Sequence, residues 1–104
     1  MSRGQESGSN GGAGCAARLV VAGRVQGVGF RWFTQRAADA LRLSGWVRNR
    51  RDGTVEAEVV GERATVQACI ERLREAPPGA EVSRLDVEWV EAPAAAAAPR
   101  FEIR

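Results

Sequence analysis

The chain contains no histidine, no lysine and no tyrosine. Without histidine there is no Ser-His-Asp triad and no His-ligated zinc site; without lysine there is no Schiff base and no P-loop lysine. Cysteine is nearly absent too: Cys15 and Cys69 are too few for a disulfide framework or a metal cage. Cys15 reads as part of a glycine-rich tail and Cys69 as the apolar side of a helix. Both are expected to be free thiols of a reducing compartment, neither having a histidine to activate it as a nucleophile. No apolar stretch approaches the roughly 20 residues that span a bilayer, and the start of the chain lacks the apolar core of a signal peptide. These absences lead to the expectation of a cytoplasmic protein with no membrane partner.

What remains is an ordinary globular composition, 44% hydrophobic and 27% charged over 104 residues, enough for one domain. All 15 basic residues are arginines, fixed cations with forked hydrogen-bond donors. The formal net charge is only +2, which permits anionic ligands but does not argue for non-specific nucleic-acid binding.

Residues 1–15 hold five of the 12 glycines and no bulky apolar residue after Met1, so they are expected to form a disordered extension to a domain at 16–104. Five alanines between Pro93 and Pro99 read as a solvated connector, too short to nucleate a helix. Between these segments the periodicity alternates. Leu19 to Ala22 suits a buried strand, and Phe30, Phe33, Ala37, Ala40 and Leu41 make one helical face that Gly45 stops. Trp46-Val47 opens a second strand, Asp52-Gly53 marks a turn, and Val55, Ala57 and Val59 alternate with Glu56 and Glu58 in a third. Val66, Cys69, Ile70 and Leu73 give a second amphipathic helix, closed by Pro77-Pro78-Gly79. Leu85, Val87 and Trp89 form a fourth strand, and Phe101 with Ile103 a short last one. The order is β-α-β-β-α-β plus an extra C-terminal strand. It predicts an α+β, ferredoxin-like sandwich, an antiparallel sheet with two helices on one face.

In that topology strands one and two run parallel with another strand between them, so their C-terminal ends share one edge. The loop from Arg24 to Gly29 and the strand end at Arg48-Asn49 are therefore expected to face each other. Gly27 and Gly29 flank Val28 just before a helix start, where positive φ can turn successive N–H groups inward as an anion-binding nest. The helix N-terminus adds its partial positive charge. Arg31 lies in the first turn, off the apolar stripe, where its fork can grip two phosphate oxygens. A dinucleotide fingerprint fails because position 32 is Trp32 rather than glycine. By spacing alone, the glycine pair also fits a plain strand-to-helix turn with a solvent arginine. Asn49 likewise fits a residue capping the following turn.

The stretch GRVQGVGFRWFTQRAADALRLSGWVRNRRDGTVEAEVVG, residues 23–61, resembles the acylphosphatase family, small hydrolases of carboxyl-phosphate bonds. The first block resembles the family's phosphate-loop signature. Gly45-Trp46-Val47-Arg48-Asn49 with Asp52-Gly53-Thr54-Val55 resembles the second, and Phe101-Glu102-Ile103-Arg104 is similar to its last strand. The resemblance implies the same ferredoxin-like fold. It also implies a phosphate held by Arg31 and the loop Gln26, Gly27, Val28, Gly29 and Phe30, and a water positioned by Asn49. Such chemistry suits a protein without histidine, because a carboxylate of low pKa leaves without a strong general acid. No metal and no cofactor is called for, and the expected partner is a small-molecule acyl phosphate met by a monomer.

Two rival readings remain. One is a non-catalytic phosphate-binding domain of the same fold, similar to that at the start of hydrogenase-maturation carbamoyltransferases. With no zinc-binding cysteine pairs and a chain ending at 104, a free-standing enzyme is the expectation. The other is an RNA-binding module, disfavoured because Thr54-Val55-Glu56-Ala57-Glu58-Val59 is acidic and carries no stacking ring. Trp46 and Trp89 read as core or sheet-face packing and Trp32 as core or pocket rim. Arg48, Arg50 and Arg51 read as a basic cluster that either steers substrate or dresses a solvated turn.

Overall fold

A computed structural model describes residues 14–92 and 100–104. The elements follow the expected order: β1 (Cys15–Arg24), α1 (Phe30–Ala40), β2 (Ser44–Asn49), β3 (Val55–Gly61), α2 (Arg63–Glu75), β4 (Glu81–Glu91) and β5 (Phe101–Ile103). Residues 1–13 of the extension expected over 1–15, and the connector 93–99, lie outside the described residues. Cys15, expected in the tail, is instead the first residue of β1, opposite Gly61 of β3 and Glu91 of β4.

The sheet runs β4-β1-β3-β2-β5. β3 is antiparallel to both β1 and β2, and β4 is antiparallel to β1. β5 runs parallel to β2, so the sheet is mixed rather than wholly antiparallel. The reason is geometric. β4 ends at the end of the sheet where β2 begins, and a strand added beside β2 from that end runs the same way.

Alternation does most of the packing. Leu19, Val21, Val47, Val55, Ala57 and Val59 point to one face and are fully buried against Phe30 of α1 and Val66, Ile70 and Leu73 of α2. Each such Val, Leu or Phe side chain contributes about 1.5–3 kcal/mol by leaving water. The face of α1 differs in detail from the expected stripe. Thr34 and Ala38 are buried and Ala40 is exposed. The Thr34 hydroxyl donates to the Phe30 carbonyl at 2.9 Å, so its burial leaves no polar group unpaired.

Gly45 is not the stop signal it resembles. α1 already ends at Leu41, and Arg42 takes the left-handed turn at φ 58°. Gly45 lies inside β2 at φ 134°, where a Cβ would overlap the Glu58 carbonyl oxygen of the neighbouring strand. The open face of the sheet also departs from a simple polar exterior. Glu56 is only 9% exposed, because Arg48 donates to it at 2.7 Å and Arg18 lies 3.6 Å away. Arg18 also donates to Glu58 at 3.1 Å. Trp46 sits among these charges, with Arg18, Arg48 and Arg104 over its ring at 5.6, 5.6 and 5.0 Å.

Two glycine substitutions separate close approach from backbone strain alone. Gly45→Ala adds a clash with a paired strand and is expected to cost about 2–4 kcal/mol. Gly53→Ala, at φ 92° with open space around its Cβ, is expected to cost about 1 kcal/mol. Urea unfolding midpoints of the two variants check the difference; equal losses would remove the argument for a steric role of Gly45.

Candidate functional site

The turn from β1 into α1 is shaped by two left-handed residues. Gly27 has φ 76° and Gly29, the N-cap of α1, has φ 79°. A Cβ at either would meet nothing within 4 Å, so glycine is required there by conformation and not by crowding. Gly29 provides no capping side chain, and the first turn of α1 carries no acidic residue. The start of the helix thus keeps its free N–H groups and positive end for an external anion.

Beside this turn lies a cleft of about 160 Å³. It brings together Gly27, Gly29, Phe30 and Arg31 from the loop and helix start with Asn49 from the end of β2. The two segments that topology placed at one sheet edge share one hollow there. Asn49 pairs with Val55 at the last rung of the β2–β3 ladder, which fixes its backbone while leaving its side chain exposed. Arg31 is half-buried, and its Nη1 donates to the backbone oxygen of Arg104 at 3.1 Å. Among the described residues no Asp or Glu side chain lies within 4.0 Å of its guanidinium.

The other two expected loop residues serve differently. Gln26 does not line the cleft. Its Nε2 donates to the carbonyls of Arg50 at 2.7 Å and Thr54 at 2.9 Å, stapling the loop to the turn that follows Asn49. That turn is closed by Arg50 N–H to the Thr54 carbonyl at 2.8 Å and by Asp52, which accepts from the Thr54 hydroxyl at 2.6 Å and amide at 3.0 Å. These bonds from Thr54 hold the Asp52 carboxyl below its usual pKa. Val28 points away from the cleft into an adjoining groove.

Two contributors were not singled out for the site in the sequence: Ile103 and the Arg104 main-chain oxygen. Ile103 reaches the cleft, and the Arg104 main-chain oxygen reaches Arg31, because β5 runs along β2, and no local pattern in a four-residue segment announces that edge. Trp32 is on the rim, 59% exposed. The basic cluster is largely occupied, Arg48 with Glu56 and Arg50 with Asp52 at 3.8 Å. Cys69 is buried in the core, and burial pushes its thiol pKa up to about 11, the opposite of nucleophile activation. Among the described residues there is no group of three or more His, Cys, Asp or Glu that could hold a metal ion, and no helix long and apolar enough to cross a membrane.

Known proteins share this sequence and fold. Residues 17–103 match the family model described as Acylphosphatase. The acylphosphatase of Mesorhizobium japonicum is 55% identical over 76 residues, covering 73% of this chain and 81% of that protein. The crystal structure of acylphosphatase from Bacillus subtilis superposes with a TM-score of 0.81 at 38% identity, covering 86% of this chain and 98% of that one. The fold also recurs within a much larger protein: full-length HypF, in its phosphate- and nucleotide-bound form, matches at TM-score 0.74 and 30% identity over 88% of this chain but 12% of its own. A family match running from the first strand to the last, with a relative identical at more than half of the aligned positions, places the chain in the acylphosphatase family.

Proposed function

We propose that the chain hydrolyses the carboxyl–phosphate bond of acyl phosphates, with Arg31 and the loop holding the phosphoryl group and Asn49 orienting the attacking water. The observation that carries this reading is the single cleft shared by Gly27, Gly29, Phe30, Arg31 and Asn49. The loop N–H groups, the helix start and Arg31, which no Asp or Glu side chain pairs among the described residues, supply donors and positive charge for a tetrahedral dianion. Asn49 brings a neutral amide, able to hold a water by one donor or acceptor without competing for the phosphate.

The reaction follows from those parts. Water attacks phosphorus in line with the bridging oxygen, the P–O bond to the carboxyl group breaks, and its electron pair leaves with the carboxylate. The water proton passes to a non-bridging phosphoryl oxygen, giving carboxylate and dihydrogen phosphate with charge conserved. Because the leaving group is a weak base, the protein need not donate a proton. Its work is positioning and charge stabilisation.

Four outcomes are expected. Purified protein hydrolyses benzoyl phosphate with EDTA present; turnover no faster than the uncatalysed rate would sink the enzymatic reading, and turnover lost only with the chelator would sink a metal-free mechanism. Inorganic phosphate and sulfate inhibit competitively and occupy the loop between Gln26 and Arg31 in a soaked crystal; an anion bound elsewhere, with the loop empty, counts against the site. Arg31→Ala loses most activity and weakens phosphate binding, on the order of 3 kcal/mol, and lysine restores only part because a point charge lacks the planar fork. Asn49→Ala lowers kcat by roughly a hundredfold with phosphate inhibition nearly unchanged. If Asn49→Ala keeps full turnover, or loses phosphate as badly as Arg31→Ala, these roles are wrongly divided.

A further inference from the structure

Next to the phosphate cleft, and sharing Gly29 and Trp32 with it, is a larger groove of about 500 Å³ between α1 and the end of α2. Its walls are mostly apolar: Val28, Trp32, Phe33 and Ala37 from the loop and α1, faced by Pro77 beyond α2. Two arginines also line it, Arg36 from α1 and Arg72 from α2. Among the described residues neither is in an ion pair. The Arg36 guanidinium lies 5.0 Å from the centre of the Trp32 ring, so it leans back along the helix toward the phosphate cleft.

We infer that this groove receives the acyl portion of the substrate, and that it favours acyl phosphates with a flat apolar body ending in a second anionic group. The inference rests on the function proposed above. Continuity of the two hollows gives the direction: a phosphoryl group at the nest of Gly27 and Gly29 projects its acyl substituent past Gly29 and Trp32. The apolar walls match a ring or short hydrocarbon body. The two unpaired arginines complement a carboxylate or similar anion at its far end. Length agrees as well. Gly29 and Trp32 are three residue steps apart, about 4.5 Å of axial rise, so the Trp32 ring that the Arg36 head covers is offset from the loop by about the length of one benzene ring.

Three synthetic substrates test it: acetyl phosphate, benzoyl phosphate and 4-carboxybenzoyl phosphate, each corrected for its uncatalysed rate. The expected kcat/KM rises in that order, with at least a tenfold span from first to last. In the double variant Arg36→Gln/Arg72→Gln the preference for 4-carboxybenzoyl over benzoyl phosphate falls to about one, while benzoyl over acetyl is retained. Arg74→Gln, which removes a charge from α2 outside the groove, keeps both preferences; if it abolishes the carboxyl preference as completely, long-range attraction is the cause and the arginine assignment is overturned. Hydrolysis of all three substrates at the same corrected kcat/KM, or a carboxyl preference that survives the double variant, overturns this inference alone. Hydrolysis of none overturns the proposed function and this inference with it.

Discussion

Everything at the candidate site depends on β3 being hydrogen-bonded on both sides. Its antiparallel ladders to β1 and β2 force those two strands to run in the same direction, one strand apart. The loop leaving β1 and the residue ending β2 then open on the same edge, separated by the width of a single strand. Gly27, Gly29 and Arg31 and, from the other side, Asn49 meet there because of that pairing and not because of any contact between their own side chains. The apolar face of the sheet holds the arrangement in place. Val21 and Val55, which flank the site end of the ladder, are fully buried, so neither strand can slip by one residue without turning its core face to solvent.

The chemistry proposed for this edge uses what an arginine-only cation inventory does well. A guanidinium, backbone N–H groups and a carboxamide can surround a phosphoryl group with donors while taking no part in proton transfer. Arg31 is oriented by the Arg104 main-chain oxygen and by its place in the first helical turn, both of which exist before any substrate arrives. Preorganisation of this kind is where an enzyme without a general acid gains most of its rate.

The sequence was most legible where one physical rule acted alone. Alternation of Val55, Ala57 and Val59, the spacing of Val66, Cys69, Ile70 and Leu73, and the glycines at 27 and 29 each carried a local requirement, and the elements stand where those patterns put them. It was least legible where tertiary contact decided. Gly45 reads as a helix stop because glycine often is one, yet its cause is the Glu58 carbonyl across the ladder. Glu56 reads as solvent-facing until Arg18 and Arg48 from two other strands cover it. Ala40 loses its place in the core to Thr34, whose hydroxyl is satisfied inside its own helix. For the candidate site, the nest, Arg31 and Asn49 could be placed from topology and resemblance. The parts supplied by β5 and the task of the Gln26 side chain depend on partners far away in sequence, and no local spacing encodes them.

The Gln26 staple makes the loop and the β2–β3 turn one mechanical body. A loop tied at its midpoint to the carbonyls of Arg50 and Thr54 has little freedom to fold over a guest. Under the proposed function, substrate and product phosphate would meet a hollow of the same shape, and departure would be governed by how strongly the anion is held, not by the opening of a lid. Such a pocket trades commitment for speed of exchange. It also places a ceiling on how tightly it can usefully grip phosphate, since every gain in affinity for the ground-state anion lengthens the wait before the next turnover.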